Sequence, residues 1–224
     1  MGSGLGRRAD CPRRRLLSQG ARVLSDAEVL ALLLQRGRPG ATALALAGEL
    51  LAHFGDLSGL LGAEPASLLA CPGMGAGKYA ALQAALELAR RRALGELKGA
   101  AVMSSPALTR RFLLHHLGNQ QREIFCCLFL DNQHRVLRCD DLFFGTLDGA
   151  AVYPREVALR ALQYSAAAVI LAHNHPSGVP QPSSADRRIT ERLVAALGLL
   201  DIRVLDHIIV GRGQTLSFAE EGLL

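Results

Sequence analysis

Two hydrophobic periods divide the chain. From Leu24 to about Leu97, apolar residues recur at helical spacing. Ser25 and Glu28 form a capping box ahead of VLALLLQRG, and Gly37 stops that helix. ATALALAGELLAHFG repeats the pattern and ends at Gly55. EPASLLACPGMGAGKYAALQAALELARRR reads as a short helix, a glycine-rich turn and a long helix. With no long Val/Ile-rich run among them, residues 24–98 are expected to form a small all-α domain. KGAAVMSSP is the expected joint, with small residues and a Ser-Pro helix start.

Past the joint the period changes. PALTRRFLLHHLG reads as a helix, and EIFCCLFLD, NQ and HRVLRCDDLFFG as two strands about a tight turn. PREVALRALQYS is a helix with Pro154 at its first position, and AAVILAH a strand buried on both faces. SADRRITERLVAALGLL is a helix, and IRVLDHIIVG and QTLSFAE are closing strands. The order α-β-β-α-β-α-β-β predicts an α/β (α+β) domain over residues 103–224, a mixed sheet covered by helices. The sequence shows no internal repeat and no low-complexity segment.

Composition narrows the class. The 224 residues are 50% hydrophobic and 20% charged, a globular balance with length enough for one large domain or two small ones. No apolar run reaches the ~18 residues of a membrane helix. MGSGLGRRADCPRRR is basic, but no apolar stretch follows it, so residues 1–23 read as a basic flexible arm and not a signal peptide. Its helical amphipathicity is too weak to favour a mitochondrial presequence. Five cysteines, an odd count without C-x-x-C, argue against a disulfide framework or a Cys-rich zinc module. Cys126 and Cys127 read as small core residues. A reducing, cytoplasmic setting is expected.

The net charge of +5 permits nucleic-acid contact without requiring it. Arg13–Arg15 and Arg90–Arg92 have two readings, as a solvated arm and a helix C-terminus, or as a phosphate-contacting patch. CPGMGAGKYAAL fails as a P-loop, because Pro72 stands where the first glycine belongs and Tyr79 follows Lys78. It fails as a dinucleotide fingerprint, because Lys78 holds the third glycine position and the preceding segment is helical. What remains, helix–PGMGAGK–helix, resembles the helix-hairpin-helix motif. There Gly73, Gly75 and Gly77 would offer amides at a helix N-terminus to a DNA phosphate, with Lys78 adding a charge. The other reading is a plain tight turn.

The densest polar chemistry lies in LAHNHPSGVPQPSSADRR. His173 and His175 are two apart at a strand end, which puts both imidazoles on one face. Asp186 follows in the first turn of the next helix. Two imidazoles and one carboxylate are a known set of three protein ligands for catalytic zinc, leaving a fourth place for water. Pro176, Pro180 and Pro182 restrict the loop and lower the entropy cost of bringing Asp186 back. The alternative is two hydrogen-bonded loop histidines and a Ser183–Asp186 helix cap. Asp206 and His207 form a further polar pair in an apolar strand, either behind the ligands or in structural hydrogen bonds. The letters HNH are not those of the nuclease, whose residues are dispersed over a ββα unit. The zinc deaminase pattern is absent as well.

The string His173-Asn174-His175-Pro176, a short loop, then Ser183-Ser184-Ala185-Asp186, resembles the JAMM metalloproteases (MPN+ domains). Asn174, where most of those proteins carry Ser or Thr, together with HPSG, PRE and DHIIV, is similar to the RadC branch. That branch also has an N-terminal helix-hairpin-helix domain, so the resemblance runs from about Leu24 to Val210. It implies an MPN/JAMM-like fold, Zn2+ held by His173, His175 and Asp186, and hydrolysis of peptide, isopeptide or other amide bonds. It also implies an upstream glutamate as general base. Glu123 is the candidate, at the mouth of a buried strand where a carboxyl pKa rises. Its rival, Glu156, sits where an acid stabilises a helix dipole. Ser183 would stabilise the oxyanion. Two other functions stand beside this one: a nucleic-acid-binding factor of DNA repair with a structural metal site, and a metal-dependent nuclease. The substrate and the oligomeric state are not legible.

Overall fold

The structure is a computed structural model and describes residues 11–98, 102, 105–145 and 152–224. The expected joint at 98–106 and the start of the arm fall largely outside that range. By packing, the chain divides into two compact units between Glu87 and Leu88.

The first unit is helical: α1 Pro12–Gln19, a 3-10 turn Ala21–Val23, α2 Asp26–Leu34, α3 Ala43–Phe54, α4 Leu57–Leu61, α5 Pro65–Ala70 and the start of α6 Ala76–Lys98. The capping box at α2 forms as expected: Ser25 Oγ accepts from the Glu28 amide at 3.3 Å, and the Ser25 amide donates to Glu28 Oε2 at 2.9 Å. α2 stops at Leu34, and Gln35 turns the chain at φ 63°. Gly37 is required for another reason, since a Cβ there would lie 1.9 Å from the Ala41 carbonyl oxygen. The core is Leu30, Leu34, Leu46, Leu50, Leu60, Leu68, Met74 and Leu82. Each fully buried leucine contributes about 1.5–3 kcal/mol.

The expected flexible arm is corrected from Pro12 onward. Pro12 begins a helix, and Arg15 pairs with Glu28 Oε1 at 2.5 Å and donates to the Val23 carbonyl at 2.6 Å. The same Glu28 that caps α2 therefore holds Arg15 of the arginine run.

The second unit holds α7 Pro106–Leu117, β1 Ile124–Leu130, β2 Val136–Phe144, α8 Pro154–Gln163, β3 Ala168–Asn174, α9 Ser184–Gly198, β4 Arg203–Val210 and β5 Thr215–Ser217. The sheet order is β2-β1-β3-β4-β5. Only β3 and β4 run parallel. α9 makes the crossover between them, as a parallel pair requires. β1 is buried along its whole length. Ile124, Cys126, Leu128 and Leu130 pack with Phe112, Leu113 and Leu117 of α7 and with Ala93 and Leu97 of α6. Phe125, Cys127 and Phe129 pack with Val157 and Ala161 of α8 and Leu193 and Leu197 of α9. The period of two in β1 thus feeds two separate helix layers.

The β1–β2 turn runs from Asp131 to Arg135, with the His134 amide donating to Asp131 O at 2.9 Å and His134 at φ 59°. β5 is shorter than QTLSFAE suggested: the Phe218 amide still donates to the His207 carbonyl at 2.9 Å, in register with the ladder, but the His207 and Ala219 amides are taken by the Asp206 carboxylate at 2.7 and 3.0 Å.

Candidate metal centre

His173 is the penultimate residue of β3, and His175 opens the loop after it. That loop is tied down along its length. The His175 amide donates to Val210 O, the Gly178 amide to His175 O, and the Arg212 amide to Gly178 O, each at 2.9 Å. Gly178 sits at φ +85°, and a Cβ on Gly211 would lie 2.4 Å from Gly178 O. The loop is therefore held against the end of β4 before any ligand arrives.

The two histidines turn their Nε2 atoms toward each other at 3.0 Å. Asp186 Oδ1 lies 3.3 Å from His173 Nε2, and Oδ2 lies 3.5 Å from His175 Nε2. Hydrogen bonding behind the rings fixes the protons. His175 Nδ1 faces the Val179 carbonyl at 2.9 Å; a carbonyl only accepts, so Nδ1 carries the proton and Nε2 a lone pair. Behind His173 the chain is longer. Thr190 donates its hydroxyl proton to the Asp186 carbonyl at 2.6 Å, so its oxygen accepts from His207 Nδ1 at 2.6 Å. His207 Nε2 is then the acceptor for His173 Nδ1 at 2.8 Å, and His173 Nε2 is left with a lone pair.

His207 is fully buried, stacked on Phe218 at 4.8 Å and set edge-on to Phe125 at 5.6 Å. Burial first, and the charge of His173 next, push its pKa well below the ordinary value. A neutral His207 is what the relay requires. With both rings neutral, two imidazole lone pairs and a carboxylate converge with no donor among them, and either a proton on a ring, which Asp186 favours, or a bound cation resolves the arrangement. The donor set fits zinc.

Asp186 has a second task. Ser183 caps α9: its amide and its hydroxyl each donate to Asp186 Oδ2 at 2.7 Å, and the Asp186 amide donates to Ser183 Oγ at 3.1 Å. Burial raises the Asp186 pKa, but the bonds to His173, His175 and Ser183 outweigh it and hold the carboxyl well below the carboxylate range. The capping reading of S-x-x-D is thus seen directly, and it leaves Asp186 Oδ1 facing His173.

Glu123 immediately precedes β1. Asn174 fixes the backbone around it. Asn174 Oδ1 accepts from the Ile124 amide at 2.8 Å, and Nδ2 donates to Arg122 O at 3.0 Å and Gln120 O at 3.3 Å. The Glu123 carbonyl accepts from the Gly145 amide at 2.8 Å. The His175 pKa is raised chiefly by its bond to Asp186, against burial, with the Val179 carbonyl and the charges of Asp186 and Glu123 adding. Glu156 lies in the first turn of α8 and meets Arg155 at 3.3 Å.

Asp206 and His207 part ways. Asp206 accepts from the His207 amide at 2.7 Å, Ser217 Oγ at 2.6 Å and the Ala219 amide at 3.0 Å, so it holds the turn after β5. Thr190 was not foreseen. Its only signal is a hydroxyl one turn after Asp186 on the buried stripe of an amphipathic helix.

In the glycine-rich turn, Gly73 takes φ +92°, while Gly75 and Gly77 are exposed with open space where a Cβ would stand. Lys78 turns inward. Its ammonium donates to Gly73 O at 2.6 Å and Gly37 O at 2.9 Å, joining two loops of the first unit.

Residues 103–223 match the RadC-like JAB domain, and residues 7–80 match the UPF0758 N-terminal family, which takes in most of residues 1–23. A UPF0758 protein of Nitrosococcus oceani is 57% identical over 213 residues, 95% of each chain. One of Aeromonas hydrophila is 54% identical over 95% of each chain, and one of Halorhodospira halophila 52% over 97%. These names describe a family and not a reaction. The mixed sheet covered by helices agrees with a JAB fold. On the match of over half its length and on relatives of this identity, the chain belongs to the RadC/UPF0758 family.

Proposed function

We propose that the second unit is a zinc-dependent hydrolase of amide bonds, with peptides or isopeptides as the substrate class. JAB domains are often metallohydrolases, which supports this reading. The observation that supports the reading best is the fixed tautomer of both histidines, which aims two lone pairs at the Asp186 carboxylate. His173, His175 and Asp186 would hold the ion. Bound there, zinc supplies a Lewis acid and lowers the pKa of a coordinated water. Glu123 takes the proton from the attacking water and returns it to the leaving amine. Ser183 stands beside Asp186 and offers its hydroxyl toward the developing oxyanion. Its proton is shared with the Asp186 carboxylate, so this role requires the hydroxyl to rotate away from the cap.

The test starts from protein purified without added metal. The expected result is zinc bound in the wild type and one equivalent fewer in His175→Ala. Hydrolysis of an isopeptide or peptide panel should be removed by chelation. Glu123→Gln should keep the zinc and lose about 10²–10⁴-fold in kcat. Equal zinc in wild type and His175→Ala, or full activity in Glu123→Gln, overturns the assignment.

A second reading concerns the first unit alone. The exposed Gly75 and Gly77 at the start of α6 support phosphate contact through backbone amides. Binding to duplex DNA should weaken steeply with salt and fail in Gly77→Val. Salt-independent binding would remove this reading.

A further inference from the structure

A second set of soft ligands lies on the opposite face of the sheet from His173. Cys126 stands on β1 directly across from Asp141 on β2, and Cys139 stands across from Leu128. Period two puts Cys126, Cys139 and Asp141 on the face covered by α7. From the last turn of α7, His116 reaches down to them. One of its ring nitrogens and the two sulfurs lie within 4.8 Å of one another.

The imidazole is held as a ligand would be. Its ring stacks on Phe112, centroids 5.3 Å apart and planes 13° apart. Its Nε2 meets Asp141 Oδ1 at 2.6 Å, and an ionised carboxylate only accepts, so Nε2 carries the proton. Burial favours the neutral ring, but Asp141 and Cys139 outweigh it and raise the His116 pKa to about 9, so a lone pair appears on Nδ1 once the ring gives up its second proton, as metal binding requires. That atom is buried and has no hydrogen-bond partner. A buried polar nitrogen without a partner is costly, so its presence calls for a function. A carboxylate behind a histidine, with the far nitrogen turned to two cysteines, is the construction seen around metal-ligating imidazoles.

We propose that His116 Nδ1, Cys126 Sγ and Cys139 Sγ form a second metal site, specific for a thiophilic cation, with zinc as the resident ion. No residue is shared with the His173–His175–Asp186 set. Two thiolates balance the charge of one Zn2+, and as it binds the Cys126 thiol proton and the second ring proton of His116 leave to solvent. Ligand atoms around tetrahedral zinc sit about 3.3–3.8 Å apart, so the cluster contracts by at most about 1.5 Å on binding. The way in is from the sheet edge, because β2 is the terminal strand and Cys139 and Asp141 are partly exposed. The Cys139 thiol is held down at about 6, first by a bond from Cys126, against burial, with His116 helping. The site would staple the β1–β2 hairpin to α7. Cys126 is therefore more than the core residue its apolar surroundings suggested.

Cobalt(II) separates this site from the first, because only thiolate ligands give an intense sulfur-to-cobalt charge-transfer band in the near ultraviolet. The protein used is the full chain carrying His173→Ala and His175→Ala. The expected result is a charge-transfer band that saturates at one cobalt per chain, is displaced by zinc, and is lost on adding Cys139→Ser. Zinc should also protect two thiols from a thiol reagent in the parent and not in the Cys139→Ser protein, a readout that holds even if one variant folds poorly. Absence of the band overturns the proposal. So does a band unchanged by Cys139→Ser, which would place the cobalt on Cys11 or Cys71. A Cys126–Cys139 disulfide that takes up no cobalt after reduction overturns it as well.

Discussion

The chemistry of the candidate centre depends on where single protons sit. Thr190 has one hydroxyl proton and gives it to the Asp186 carbonyl, and this choice is passed through His207 to His173. Thr190→Val keeps the shape but strands the His207 Nδ1 proton and frees the ring to change tautomer. Zinc affinity is expected to fall about 10–100-fold with the fold intact, measured by competition with a chromophoric chelator. An unchanged affinity would show that the proton order does not matter. Asn174 acts differently, since it touches the backbone around Glu123. Asn174→Ala should lower stability to urea by roughly 1–3 kcal/mol and reduce hydrolysis while zinc content stays constant.

His173, His175 and Asp186 were legible because ligands two apart on a strand and one at a helix start have a recognisable spacing. The partners behind them were not. Thr190 and His207 are joined only by the crossing of α9 over β4, which no local pattern records. Likewise, Cys126 and Cys139 meet through a hairpin register that a bulge shifts between Phe125 and Cys126.

At the level of elements, most boundaries follow from local chemistry. The caps at Ser25 and Ser183, the prolines at 106 and 154, and the unbroken apolar run of β1 all act within one or two turns of chain. The misses have physical causes. Pro12 begins a helix whose Arg15 pairs with Glu28, thirteen positions on from that arginine. β5 is cut short by Asp206, whose carboxylate draws the Ala219 amide out of the strand. The β1–β2 turn carries its own pH sensitivity. The Asp131 pKa is lowered from 3.8, chiefly by the Arg135 amide, against desolvation, with the Arg135 side chain and the Gln133 amide adding. A carboxyl with a depressed folded pKa stabilises above its unfolded value and loses that contribution as pH falls through the folded one. The Arg135 and Gln133 amides should therefore exchange faster below about pH 4 than acid chemistry alone explains. Asp131→Asn should show no such step.

For the molecule as a whole, the division between Glu87 and Leu88 falls within a continuous helix. Ala93 and Leu97, at the end of that helix, pack with Phe112, Leu113 and Leu117 in the core of the second unit. A fragment of residues 88–224 is therefore expected to fold and retain zinc at His173 and His175. A fragment of 106–224 should lose about 2–5 kcal/mol of stability with the leucine alone. Equal denaturation midpoints would show that the end of α6 is dispensable. Lys78 belongs to the same scale, because it joins two loops of the first unit. Lys78→Met should lower the melting temperature of that unit, so any loss of DNA binding in a Lys78 variant needs a stability control beside it.

One carboxylate both closes α9 and faces the two histidines. Its Oδ2 is occupied by Ser183, and its Oδ1 is the atom nearest His173. Departure of an ion and fraying of the first helical turn then become a single kinetic event. The Ser183 and Asp186 amides serve as a clock for it: their hydrogen exchange should slow when zinc is bound and quicken together when a chelator removes it.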